Sequence, residues 1–270
     1  MIKRVWNDHL VLVTGAGHGL GREISLEIAR AGARVIVTDR DELRAQGTHE
    51  EILKAGGKSV FYQMDVGDLD SIRRVRDEVE TKIGTITGLV NNAGIVMGGE
   101  FQTVSLENHL RMLDINTLGV VRVTHLFFPH LLVAKESSII NIASASAFLA
   151  LPFGTSYAAS KWAVLGFSDS LREELKLKKQ SHVSVMTVCP SFISTGMFHG
   201  VSLPWLMKWV SPQKLAVKIR RAIEKGKENI LSPWNVLPVP LAKGLLPKRW
   251  FISLCRCLGV SQSMTSWEGH

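Results

Sequence analysis

A chain of 270 residues, 46% hydrophobic and 21% charged, has the makeup of a single globular domain spanning 1–270 and excludes a disordered or low-complexity protein. Cys189, Cys255 and Cys257 form neither an even framework nor a C-x-x-C pair, so no structural disulfide and no metal site is expected, and a reducing, cytoplasmic setting fits. The net charge of +8 lies in the last quarter: residues 1–201 hold 21 basic and 21 acidic side chains, residues 202–262 hold 11 and 2.

The opening MIKRVWNDHLVLVTG passes from a short polar lead into a strand, so no secretory leader is expected. Nor does any run reach the roughly 18 apolar residues of a spanning helix. HLVLVTG predicts a buried strand, GREISLEIARAGA an amphipathic helix ending at Gly32, and RVIVTD a second strand. The rhythm repeats: helix DELRAQGTHEEILKAG, strand SVFYQMD, helix LDSIRRVRDEVETKIG, strand TGLVNNAG, a long helical region near 105–135, and strand SSIINIAS. A helix over 155–179 and strand HVSVMTVCP follow. Apolar strands alternating with helices predict a doubly wound α/β fold, a parallel sheet covered on both faces. Gly15, Asp39, Asp65, Asn92, Ser144 and Pro190 then fall at the strands' carboxyl ends, where such sheets bind ligands.

The first strand runs into TGAGHGLGRE. Glycines at 15, 19 and 21 allow a tight turn, let backbone approach a ligand and open a helix whose first N–H groups suit a pyrophosphate. The spacing G-x-x-x-G-x-G differs from the usual G-x-G-x-x-G. Asp39, ending the second strand, can bind ribose hydroxyls and repel a 2′-phosphate, which favours NAD over NADP; the neighbouring Arg40 argues the other way.

In SYAASKWAV, Tyr157 and Lys161 stand four apart and so share one face of a helix. A fixed cation beside a phenol lowers its pKa and makes it usable as a general acid or base near neutrality.

Together these motifs resemble the short-chain dehydrogenase/reductase family over about residues 8–230. Thr14 to Gly21 matches its T-G-x-x-x-G-x-G turn and Asn91 to Gly94 its N-N-A-G. Asn116 matches its helix asparagine, Ser144 its serine thirteen residues before the tyrosine, and Tyr157 with Lys161 its Y-x-x-x-K. The resemblance implies a Rossmann-type fold and an NAD(P)-dependent oxidoreductase that interconverts an alcohol and its carbonyl. By it, Tyr157 exchanges a proton with the substrate oxygen, and Lys161 lowers the tyrosine pKa and holds the nicotinamide ribose. Ser144 bonds the substrate oxygen, and Asn116 positions a water linking Lys161 to solvent. The cofactor would be held by Gly15, His18, Gly19, Leu20, Gly21, Asp39, Asp65, Val66, Asn92, Ala93, Gly94, Tyr157, Lys161, Pro190, Ile193 and Thr195. Ser146 competes with Ser144, and Asp65 either contacts the adenine or caps the next helix. A protein that binds the dinucleotide as a sensor or scaffold, without turnover, is the alternative function.

One departure is Ser191, where the family has glycine after Pro190. AFLALPF at 147–153 and GMFHGVSLPWLMKWV after Thr195, the expected lid (about 196–212), carry Met197, Phe198, Trp205, Leu206, Met207 and Trp209. Such a lid suits a lipophilic steroid, retinoid or long-chain substrate; His199 reads as a surface residue of it. Ala158, Ala159, Ala163 and Gly166 read as small residues for close helix packing, in a helix that forms a dimer interface in relatives, so a homodimer or homotetramer is expected. The tail, about 232–270, mixes leucines, Trp250 and Phe251 with Lys243, Lys248, Arg249 and Arg256, without an acid from 237 to 258. It suits an anionic membrane surface, with packing on a neighbouring subunit as the alternative; nucleic acid is not an expected partner.

Overall fold

A computed structural model describes residues 6–205 and 207–268. β1 (Leu10–Thr14) is buried at every position and leads into α1 (Gly19–Arg30), which turns Leu20, Ile24 and Ile28 inward at four-residue spacing. Then come β2 (Arg34–Asp39), α2 (Glu42–Lys54), β3 (Lys58–Gln63), α3 (Leu69–Lys82) and β4 (Gly88–Asn91). Asp41 caps α2 by accepting from the Arg44 amide, and Asp68 caps α3 from the Asp70 amide. Next are α4 (Leu106–Leu113), a π turn (Asp114–Leu118), α5 (Gly119–Val133), β5 (Ser137–Ile142), α6 (Thr155–Leu177) and β6 (Val183–Pro190). α7 (Pro212–Glu224), β7 (Asn229–Ser232), α8 (Val239–Leu245) and α9 (Lys248–Cys257) complete the chain.

All seven strands are parallel, in the order β3-β2-β1-β4-β5-β6-β7, so the doubly wound prediction holds and β1 and β4 flank the point where the winding reverses. Alternation along each strand feeds two cores. Val11 and Val13 of β1 pack with α1 and α7, while Leu10 and Leu12 pack with Ile72, Val75 and Val79 of α3 and Phe127 and Leu131 of α5. Buried Arg172 fixes α6 to the sheet, donating from Nε to the Val185 carbonyl at 3.0 Å and from Nη2 to both Thr187 Oγ1 and the Glu228 carbonyl.

Three local findings differ from the sequence reading. β3 stops at Gln63, two residues before Asp65. The long helical region is broken at Asp114–Leu118, where Gly119 N–H reaches back to the Asp114 carbonyl. Among the described residues, nothing beyond its own helix backbone lies within 4 Å of the Cβ position of Gly166, so that glycine does not serve close packing against them. α7 and β7 lie beyond the elements read from the sequence, although Ser211, which caps α7, and Pro212 at its first position form a helix-start signal.

Candidate active site

At the carboxyl edge, the turn after β1 is held by its own backbone. Gly15 has φ +61°, and a Cβ there would lie 2.8 Å from Ala93 Cα. A Cβ on Gly21 would meet the Gly15 carbonyl oxygen at 2.2 Å and the Asn92 amide at 2.4 Å. That amide donates to the Thr14 and Gly15 carbonyls at 2.9 and 3.0 Å. Thr14 Oγ1 accepts from the Asn92 and Ala93 amides, both at 3.0 Å, so β4 is latched to the turn. Thr14 and Asn92 thus hold the shape that the glycines permit; the sequence reading had given Thr14 no role beyond its place in the motif.

His18 begins α1 without a side-chain cap, with its Nδ1 3.9 Å from Asp39 Oδ2. The first N–H groups of α1, at Gly19, Leu20 and Gly21, have no carbonyl a turn earlier to bind and are the natural donors to a phosphate. A Cβ on Gly19 would stand 3.3 Å from Thr195 Cβ, which brings that threonine from the far side of the sheet to the same turn. This cradle, with its clash-prone glycines and uncapped helix start, fits a dinucleotide pyrophosphate.

Asp39 is buried, and its carboxylate accepts from the Gly17 amide at 2.9 Å and the Asp41 amide at 3.1 Å. Beyond it opens a cleft of about 490 Å³ bordered by Arg40, Gln63, Asp65, Ser71 and Arg74. Asp65 accepts from the Gly67 amide at 2.8 Å, while Asp68 caps α3, so the capping alternative for Asp65 is set aside. Val66 is buried against Gly119 at the start of α5.

On α6, Tyr157 and Lys161 face the same side, with the ammonium nitrogen 5.9 Å from the phenol ring centre. Both are buried. Lys161 donates to the Ile142 carbonyl at 2.9 Å. Ser144 bonds the Tyr157 side chain and also accepts from the Ser146 amide at 3.1 Å. Among the described residues the Ser146 hydroxyl has no partner, so Ser144 is the serine that reaches the phenol. Asn116, fully buried in the π turn, brackets Ile95 by accepting from its amide at 2.8 Å and donating to its carbonyl at 2.9 Å. It also donates at 3.0 Å to Ser160, which lies between Tyr157 and Lys161 on α6. A Cβ on Gly94 would stand 3.1 Å from Asn116 Oδ1 and 3.5 Å from Lys161 Nζ, so bare backbone passes between them. Ser160 was missed in the sequence because a serine in a helix carries no signal of its own.

The electrostatics correct one expectation. Burial pushes the Tyr157 phenol up to about 12, with the Ser144 hydrogen bond pulling against it, and burial pushes the Lys161 ammonium down to about 8. Loss of water opposes both charged forms and outweighs the lowering that a nearby cation was expected to produce. Cys189, near Lys161, is likewise pushed up to about 12 by burial and stays a thiol.

Over the phenol lies an apolar group. Phe198 meets the Tyr157 ring edge-on at 6.0 Å, Phe192 meets Phe198 at 5.3 Å, and Val96, Met112, Leu151, Val201 and Met264 pack with them. Met197 and Trp209 join this side as expected, Trp205 is exposed, and Leu206 lies outside the described residues. His199 is on the surface, paired with Glu268 at 3.1 Å. Ser191, at the departure from the family pattern, needs no left-handed backbone. Its amide donates to the Ser232 carbonyl at 2.7 Å, which carries the turn after Pro190 toward Ile193, itself bridged to Val210.

Comparison with known proteins agrees with this geometry. Mouse epidermal retinol dehydrogenase 2 is 31% identical over 264 residues, covering 97% of this chain and 85% of that protein. Estradiol 17-beta-dehydrogenase 11 of Macaca fascicularis is 26% identical over 251 residues, covering 93% and 83%. A short-chain dehydrogenase/reductase from Burkholderia phymatum, solved in complex with NAD, shares the fold at a TM-score of 0.80 and 23% identity, covering 93% of this chain and 96% of that one. With the short chain dehydrogenase model matching residues 9–203, a span that holds the glycine turn and the tyrosine–lysine pair, the chain belongs to the short-chain dehydrogenase family.

Proposed function

We propose that the protein interconverts a lipophilic alcohol and its carbonyl with a nicotinamide dinucleotide. The observation that carries this reading is the Tyr157 hydroxyl, bonded to Ser144 and roofed by apolar side chains, on the same edge as the glycine cradle. When bound, the dinucleotide supplies or accepts the hydride. Tyr157 passes the proton to or from the substrate oxygen, which Ser144 holds by a hydrogen bond. Lys161 holds the nicotinamide ribose and, in its protonated form, favours the phenolate. Asn116 keeps Ile95 and Ser160 in place beside this pair and so supports the path by which the proton leaves. Gly15, His18, Gly19, Leu20 and Gly21 take the pyrophosphate with Thr195. Asn92, Ala93 and Gly94 support the ribose, Asp65 and Val66 the adenine side, and Pro190 and Ile193 the carboxamide.

The Asp39 carboxylate, fixed by two backbone amides, favours NAD because a 2′-phosphate would face it; exposed Arg40 is the opposing feature. The mouse relative's name and the apolar roof support a retinoid, steroid or long-chain substrate. A sensor without turnover has no use for Tyr157, Ser144 and Lys161 gathered at one point. Among the described residues no helix is long and apolar enough to cross a membrane. For the tail we propose a surface attachment to anionic membrane: Trp234, Leu237, Leu241, Leu245, Trp250 and Leu254 are exposed beside Lys248, Arg249 and Arg256. A homodimer or homotetramer through α6 is also proposed, with the exposed small residues Ala159, Ala163 and Gly166 on its outer side.

The deciding experiment follows nicotinamide absorbance while graded alcohols and ketones are offered with NAD and with NADP. Turnover of long or polycyclic substrates with NAD supports the reading; dinucleotide binding without turnover of any of them leaves the sensor.

A further inference from the structure

The last described residues are bound to the lid along their length. Ser202 N–H donates to the Ser263 carbonyl at 3.1 Å, the Ser266 hydroxyl to the Gly200 carbonyl at 2.7 Å, and Glu268 N–H to the His199 carbonyl at 3.2 Å. Trp267 Nε1 donates to the Met197 carbonyl at 3.2 Å. Its ring lies on Gly98, in the loop that continues from the N-N-A-G motif, and a Cβ at Gly98 would come within 2.8 Å of two ring atoms. Gly98 is therefore the seat for this indole. Met264 is almost fully buried in the same apolar group as Tyr157 and Phe198, and Trp267 packs at its margin.

From this contact we infer that Trp267, seated on Gly98 and tied to Met197, forms the outer wall of the substrate chamber and sets how long an alcohol the site accepts. The inference rests on the proposed dehydrogenase reading. The reacting oxygen must lie at Tyr157 and Ser144, and the remainder of the substrate then extends into the apolar group that Met264 and Trp267 close. A hydrocarbon chain there meets the apolar side chains of this group, so the wall selects by length.

The test is kcat/KM for NAD-dependent oxidation of straight-chain primary alcohols from butanol to dodecanol. Trp267→Ala raises the dodecanol-to-butanol ratio at least about tenfold, the scale of a removed steric block in an apolar pocket, with NAD affinity unchanged. Gly98→Ala unseats the ring from below and moves the ratio the same way; Trp267→Phe, which keeps a ring on the seat, stays nearer the parent. Should Trp267→Ala fail to fold, Gly98→Ala decides. Equal effects on all alcohols in both variants overturn the wall and leave the tail a packing element. If the parent protein turns over neither these alcohols nor the polycyclic alcohols and ketones of the broader panel, the dehydrogenase reading fails by itself. With no straight-chain alcohol oxidised, the wall is judged by retinol binding in the presence of NAD, followed by retinol fluorescence: a change in affinity with Trp267→Ala sustains it, and unchanged affinity or no binding overturns it.

Discussion

On the side proposed for the dinucleotide, the site is made of backbone. Glycines 15, 19 and 21, latched by Thr14 and Asn92, leave no room for a side chain at Gly15 or Gly21. On the side proposed for the substrate it is made of side chains: Phe198, Met112, Met264 and Trp267 pack in the group that holds Tyr157, and loops rather than sheet ladders carry most of them. Backbone geometry has few solutions and demands particular residue types at fixed spacing. Apolar packing has many solutions of similar energy, and it asks only for volume and shape. The first side accordingly suits a cofactor common to a family, the second a substrate that differs between members.

The largest break between the two sides should come from Tyr157→Phe. Turnover falls about 10²- to 10⁴-fold, the usual contribution of general acid–base catalysis, while NAD titration is unchanged. A loss of NAD affinity as large as the loss of turnover would put Tyr157 on the dinucleotide side of the comparison.

Next is the pH dependence of stability without cofactor. Unfolded, Lys161 keeps its proton to near pH 10.5; folded, it gives it up near 8. Between those values the unfolded chain binds more protons, so this group makes stability rise with pH. Above about 10 the sign reverses, because buried Tyr157 keeps a proton, up to about 12, that the unfolded chain loses. Lys161→Met should remove a rise on the order of 2 kcal/mol between pH 8 and 10, read from denaturant midpoints. Identical profiles in parent and variant would show that Lys161 is not deprotonated by burial.

Glycine to alanine sharpens the comparison further, because the same change should act with opposite signs at two sites. Gly21→Ala forces a contact with the Gly15 carbonyl and should cost about 1–3 kcal/mol with a clear loss of NAD affinity. Gly166→Ala, in open space on α6, should stabilise by about 0.5–1 kcal/mol, as expected at an exposed helix position. That gain is for the separate chain; in the proposed α6 oligomer the same alanine faces a second copy and costs stability instead, with a change in mass that light scattering reads.

Smallest are the tail substitutions. Arg249→Glu and Arg256→Glu should each weaken binding to acidic vesicles by about 1 kcal/mol or somewhat more, with activity on soluble substrates unaltered. Vesicle binding that ignores both lipid charge and salt would end the membrane proposal.

Much of the site could be read before the fold was known. The spacing from Thr14 to Gly21, the N-N-A-G run and the Tyr157–Lys161 interval each encode a local geometry that does not depend on the rest of the chain. Asp65 was ambiguous because a carboxylate after a strand serves as cap or ligand alike, and only the position of Asp68 settled which group caps α3. Thr14 as a latch, Ser160 as partner of Asn116 and Gly98 as a seat for Trp267 were not legible. Each depends on a residue 44 or more positions away, and a serine, threonine or glycine looks the same in any loop or helix.

Alternation of apolar strands with amphipathic helices determined, from the sequence alone, the parallel sheet and which edge gathers the glycine turn, Asn92, Ser144 and Pro190. Helical periodicity likewise sufficed to put Tyr157 and Lys161 side by side. Tertiary structure alone decided how strongly those two groups are withdrawn from water, and hence that burial rather than their mutual attraction dominates their titration. It also decided that the segment around Met264 and Trp267 returns to the apolar group that holds Tyr157, because that packing joins segments whose residue types carry no mark of each other.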